Sequence, residues 1–283
     1  MKLPQITITA VPNIPLIQEG DDLPAIILDR MEMAGLGLQD GDVLVIAQKI
    51  VSKAEGRLVH LDTVRPSPPA QEIAEQTGKD PRLVEVILSD TREISRMRKG
   101  LLIVENNLGL ISANAGVDRS NVAPPEERRS GGAEERRSRG DSHLCTPAPL
   151  HPRSEWVAQL PVDPDASARV IRRRLMAASG KEVAVIINDT HGRPWRIGAV
   201  GVAIGVAGIE PVEDLRGQPD LFGHTLETTQ VGLADQVAAA ASLIMGQADE
   251  GRPVVLLRGL AYTLKDDVSS RELLRPKEQD LYR

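Results

Sequence analysis

The chain is poor in aromatics and nearly devoid of sulfur chemistry. Its 283 residues include two Trp, two Tyr and one Phe, so its core must be aliphatic, built from Val, Ile, Leu and Ala. The same scarcity argues against single-stranded nucleic acid as a partner, because that mode of binding stacks bases on aromatic side chains. A single cysteine, Cys145, excludes an intramolecular disulfide framework and fits a reducing compartment. No apolar run is long enough to span a bilayer as a helix. The opening Met1-Lys2-Leu3-Pro4-Gln5 lacks the apolar centre of a signal peptide. A cytoplasmic protein without membrane attachment is the expectation. There is no long basic stripe and the formal net charge is −6, which argues against a nucleic-acid surface. An acidic total still leaves anionic small ligands open, because binding reads the local field and not the sum.

What is present reads as an α+β chain. Apolar, β-rich runs at 5–11, 42–47, 182–188 and 253–258 predict strands. Gly-punctuated 198–209 predicts another strand, packed closely against a neighbouring backbone. Capping acids and prolines predict helices at 22–34, 81–88 and 163–179; periodicity adds 48–54, 69–77 and the Ala-rich 229–245. Runs at 101–104 and 108–112 pair as a hairpin around Asn106-Asn107. Between about residues 123 and 156 the composition turns to Pro, Arg, Glu, Ser and Gly, and Glu-Glu-Arg-Arg-Ser at 126–130 recurs at 134–138. Such a stretch buries too little apolar surface to offset its ordering entropy, so a disordered insertion is expected.

Three segments carry chemistry: Asp118 with Asn121, Asp189 with Thr190, and the turn 247–252. Each follows an apolar element, where loops of α/β folds present polar groups to ligands. Acids converging on one place repel unless a cation offsets them, which points to Mg²⁺ or Mn²⁺ held by oxygen donors. Taken singly, each acid reads more readily as a turn former or cap. Lys49 and Lys53, four apart in a predicted helix, share one face. They suit a polyphosphate, or simply a solvated face. No Gly-x₄-Gly-Lys-[Ser/Thr] loop exists, since Gly180-Lys181 is followed by Glu182. His191 is read as a loop residue and not as a general base.

Taken in order, Ser52-Lys53-Ala54-Glu55-Gly56-Arg57, Asn114-Ala115-Gly116-Val117-Asp118-Arg119-Ser120-Asn121 and Asp189-Thr190-His191-Gly192-Arg193 resemble the coenzyme F420-0:L-glutamate ligases. So do Pro164-Asp165-Ala166-Ser167-Ala168, Ala203-Ile204-Gly205-Val206-Ala207-Gly208, Asp220-Leu221-Phe222-Gly223 and Met245-Gly246. The resemblance covers nearly all of the chain outside the insertion. It implies a homodimer of two-lobed α+β subunits. It also implies a reaction in which GTP drives ligation of L-glutamate to the side-chain carboxylate of coenzyme F420-0, followed by further gamma-linked glutamate. It assigns Asp118, Asp189, Thr190 and Gln247 to two divalent ions, and it implies a K⁺ requirement. It assigns Ile14, Pro15, Leu16, Ile17, Gln48, Lys49, Lys53 and Asn121 to the nucleotide. Met245, Gly246, Gln247, Ala248, Asp249, Glu250, Gly251 and Arg252 join that set. Many relatives carry Glu where Gln247 stands, so one metal site is expected to be weaker here. The alternatives are a GTP-dependent ligase acting on another carboxylate, or a nucleotide-binding module without turnover.

Overall fold

The computed structural model describes residues 3–122 and 155–280; the expected insertion falls largely outside them. Among the described residues, the centre is a five-stranded sheet in the order β1-β12-β2-β8-β9. Its strands are β1 (Thr7–Ala10), β12 (Val254–Arg258), β2 (Val43–Ala47), β8 (Ala184–Arg193) and β9 (Arg196–Ala207). β2 and β8 run parallel in the middle, with Ala47 opposite Asn188; the other pairings are antiparallel.

The unbroken apolar runs of β2 and β8 follow from burial on both faces. On one face Leu44, Ile46, Val185 and Ile187 pack with Ile27 and Met31 of α1 (Leu23–Met33) and with Ile171 and Leu175 of α5 (Pro164–Ser179). On the other, Val43, Val45, Ala184 and Ile186 meet Val237, Ala238 and Ala241 of α6 (Leu233–Met245). A third apolar cluster unites α3 (Pro68–Thr77), α4 (Pro81–Ser89), β5 (Leu101–Asn106) and β7 (Trp156–Ala158). β4 (Thr91–Arg98), β5 and β6 (Ile111–Ala113) form an antiparallel sheet, and β3 (Leu58–His60) pairs with β7. The remaining described elements include α2 (Gln48–Ala54) and the short pair β10 (Glu213–Asp214) and β11 (Gln230–Val231).

Three expectations are corrected. Residues 189–193 are not a loop: β8 runs through them and pairs with β9 to the register Arg193↔Arg196. Cross-strand bonding here overrides the weak strand preference of Asp189 and Gly192. α6 starts at Leu233 and not at 229, because Gln230–Val231 is bonded to β10. The hairpin's second strand starts at Ile111, because Asn106 Oδ1 accepts from the backbone N–H groups of Leu108 and Leu110 and holds them in the turn. At the far end of the expected insertion, Trp156 opens β7, with its ring edge-on to His60 at 4.9 Å.

Candidate functional site at the carboxyl ends of the parallel strands

The polar chemistry gathers where β2 and β8 end. α2 starts as β2 stops, so Lys49 leaves the sheet beside Asn188 and Asp189. Lys49 Nζ donates to Asp118 Oδ2 at 2.7 Å, to Ser120 O at 2.7 Å and to Ser120 Oγ at 2.8 Å. One turn later, Lys53 Nζ donates to Asn121 O at 2.8 Å. The lysine pair is therefore no solvated face, since both ammonium groups clasp the 118–121 segment.

That segment is set by its backbone. Asn114, Ala115 and Gly116 all adopt positive φ. At Gly116 a Cβ would lie 2.7 Å from Leu160 Cδ1, so glycine is required there. The chain then exits extended, with Asp118 and Ala158 exchanging backbone bonds of 3.0 and 2.8 Å. Burial alone would push the Asp118 carboxyl up. The hydrogen bonds from Lys49 and Ser120, with the Lys49 charge, outweigh it and hold the group below its ordinary value.

Asn121 Nδ2 donates to Ala248 O at 2.8 Å, which joins this segment to the turn after α6. In the same turn the Ala248 N–H donates to Glu250 Oε2 at 2.8 Å, and this bond holds the Glu250 carboxyl below its ordinary value. Gln247 and Asp249 are exposed. On β8, Asn188 is buried; its Nδ2 reaches Ser242 Oγ at 3.1 Å and Met245 Sδ at 3.4 Å, tying the strand to the end of α6. Asp189 Oδ2 lies 2.9 Å from His191 Nε2, and both side chains are largely covered.

Residues 14–17 lie in a loop pinned beside the site. The Val11 N–H donates to Val254 O, and the Gly20 N–H donates to Ala54 O at the end of α2. Within it Ile17 is a core residue, Ile14 packs against the same core, and Pro15 and Leu16 are exposed. Gln48 is buried and accepts from Ser52 Oγ, and Met245 is buried in the α6 core. Three participants escaped the sequence reading. Ser120 stands in the sequence only inside the family motif, and Asn188 only as the end of a predicted strand. His191 had been placed in a loop.

By donor chemistry, the carboxylates of Asp118 and Asp189, the hydroxyl of Thr190 and the amide carbonyl of Gln247 would suit a hard cation. Thr190 is exposed on β8 between Asp189 and His191, on the opposite face of the strand from them. Among the described residues no cluster of three or more His, Cys, Asp or Glu forms an all-protein cage.

These features define an α+β protein whose ammonium, carboxylate and amide groups meet at the carboxyl edge of a central mixed sheet. The sequence model of the F420-0:Gamma-glutamyl ligase family matches residues 12–127 and 146–259 and breaks off inside the polar stretch. The coenzyme F420:L-glutamate ligase of Methanothermobacter thermautotrophicus is 47% identical over 279 residues, 98% of this chain and 99% of that protein. Those of Methanopyrus kandleri and Methanocaldococcus jannaschii are 44% and 38% identical, covering 99% and 96% of this chain and 99% and 94% of their own lengths. The chain belongs to the F420-0:gamma-glutamyl ligase family. It is an enzyme, a ligase that forms amide bonds.

Proposed function

We propose that this ligase joins L-glutamate to the side-chain carboxylate of coenzyme F420-0, and then adds further gamma-linked glutamate, with GTP converted to GDP and phosphate. The observation that carries this reading is the clasp of Lys49 on Asp118, which brings the cationic and acidic motifs to one place in a chain matched along most of its length by the family.

The chemistry follows from the weakness of a carboxylate as an electrophile. An oxygen of the acceptor carboxylate attacks the γ-phosphorus of GTP, GDP leaves, and an acyl phosphate forms. The glutamate amine then attacks the acyl carbon, the C–N bond forms, phosphate departs and the amine loses a proton. Phosphoryl transfer needs chiefly positioning and charge neutralisation. Lys49 and Lys53 supply fixed positive charge, and the turn 246–252 borders them. Asp118, Asp189, Thr190 and Gln247 would hold Mg²⁺ or Mn²⁺, which supplies charge neutralisation at the phosphates. K⁺ dependence, cytoplasmic location and a homodimer belong to the same reading. The dimer draws support from exposed Trp195 and Ile197 at the β8–β9 tip and from exposed Leu221 and Phe222.

The test is to incubate the protein with GTP, Mn²⁺, L-glutamate and F420-0 and weigh the products. Mass gain of one or more glutamyl units with stoichiometric GDP supports the reading. GDP formation only with a different acceptor, or tight GTP binding without turnover, overturns it.

A further inference from the structure

The family motif Ser52-Lys53-Ala54-Glu55-Gly56-Arg57 ends in a residue that the nucleotide reading leaves unused. Arg57 Nε donates to Leu160 O at 3.0 Å, which fixes the plane of its guanidinium. Arg57 lines a hollow of about 290 Å³, and its two terminal nitrogens have no hydrogen-bond or ion-pair partner among the described residues. Gln159, only 8% exposed, lines the same hollow; its N–H donates to Arg57 O at 3.0 Å and its Nε2 to Ser89 Oγ at 3.3 Å. Asp90 lines the same hollow. Its Oδ1 accepts from Asn107 Nδ2 at 2.7 Å, and its backbone O accepts from the Asn107 N–H at 3.1 Å. No ion pair joins Arg57 to Asp90 among the described residues, so the two charges stand apart on its lining.

A separated cation and anion, each pre-oriented by a hydrogen bond, complement a zwitterion. We propose that this hollow binds the incoming α-amino acid, its carboxylate on the Arg57 fork and its ammonium on Asp90; this rests on the proposed ligation of glutamate. Three features argue for it. The volume sits at the small end of ligand sites, roughly 300–1,000 Å³, which suits an amino acid. A guanidinium locked in plane and open at its outer edge is the geometry that takes a carboxylate bidentately. The hollow also adjoins the candidate centre. Gln159 directly follows Ala158, whose backbone exchange with Asp118 sets that carboxylate in place, and Arg57 lies four residues beyond Lys53.

The proposal is tested by steady-state kinetics on the full-length chain with Asp90→Asn and Arg57→Lys. Asp90 is on the surface and its Asn107 contact survives as an amide, so Asp90→Asn retains the fold; Arg57→Lys keeps the charge and loses the fork. Each is expected to raise the KM for L-glutamate about ten- to a hundredfold, the range for losing one charge-assisted bond, with the KM for GTP within about twofold. Glutarate carries the carboxylates without the ammonium, so Asp90→Asn should narrow the preference for glutamate over glutarate as a competitor. Unchanged glutamate KM in both variants overturns the hollow and leaves the ligase reading intact. Wild-type protein that ligates some other amino acid overturns the proposed ligation of glutamate instead, and the same KM comparison then decides the hollow with that amino acid.

Discussion

Lys49 and Asp118 lie 69 residues apart in sequence and 2.7 Å apart in space, with the lysine 19% and the carboxylate 41% exposed. In the proposed metal site the lysine occupies the oxygen that a divalent cation would claim, so cation binding would compete with the Lys49 contact. In Lys49→Met, Asp118 is released and Mn²⁺ binding without nucleotide should tighten. The charge lost from the phosphates should lower kcat/KM for GTP by about a hundredfold. Electron paramagnetic resonance of free Mn²⁺ and initial rates measure the two effects. Weaker Mn²⁺ binding in the variant would remove Asp118 from the metal site.

Asp189 and His191 lie on the same side of β8, two residues apart, with His191 Nε2 on Asp189 Oδ2 at 2.9 Å. Held at one oxygen, the carboxylate would keep Oδ1 for the proposed cation. Outer partners of metal ligands typically contribute 10- to 100-fold in affinity. His191→Ala should therefore weaken Mn²⁺ binding by about that factor, and Asp189→Asn by more. The double variant should bind no worse than Asp189→Asn alone. Additive losses in calorimetric titration would mean that the two act separately.

Much of this arrangement was written locally. Asp22, Asp80 and Asp163 each accept a backbone N–H at the start of a helix, so capping signals located α1, α4 and α5. α2 was bounded by the end of an apolar run and by Gly56. β4 was invisible because six of its eight residues are exposed and charged side chains alternate with none of the core period. The clasp of the lysines on 118–121 was also illegible, since the spacing shows only that Lys49 and Lys53 share a face. Residues 189–193 looked like a loop because their strand is made by pairing with β9, a long-range term that no local window contains.

The glycines of β9 give a packing prediction. A Cβ on Gly205 would lie 2.5 Å from Pro164 O, a backbone atom at the start of α5, and on Gly201 it would lie 2.1 Å from Ser242 Oγ and 2.6 Å from Ala238 O. These are the close backbone approaches that the sequence pattern predicted. Gly205→Ala should cost about 1–3 kcal/mol through overpacking. Gly37→Ala, with nothing within 4 Å, should stay within about 0.5 kcal/mol. Urea denaturation midpoints compare them. Equal midpoints would mean that α5 yields freely.

Tyr262 supplies a pH signature remote from the site. Burial pushes its phenol up to about 12, with the carboxylates of Asp42 and Glu182 adding to the rise and Arg172 opposing it. The neutral form is the one the fold favours. The associated stability is thus fully present below the ordinary tyrosine value, about 10, and is lost as pH rises from there towards 12. Of the two tyrosines, Tyr262 and Tyr282, one should ionise late in an absorbance titration. Tyr262→Phe should remove that late step; its survival would reassign it.

Gln247 tests the metal assignment from the side of gain. It is exposed at the start of the turn that Asn121 anchors through Ala248, so a longer-range rearrangement is not needed to accommodate a carboxylate. An amide carbonyl lends a cation one neutral oxygen, whereas Gln247→Glu adds a full negative charge to the same reach. The gain is Coulombic and partly screened at an exposed position. Mn²⁺ affinity in the presence of GTP should rise by about two- to fivefold, as expected for a screened contribution of up to about 1 kcal/mol, and the increment should shrink as ionic strength increases. Without GTP the gain should be smaller, because the remaining positions of the ion are then filled by water and not by phosphate oxygens. An affinity that is unchanged with and without nucleotide would place residue 247 outside the metal's reach and leave Asp118, Asp189 and Thr190 as the donors.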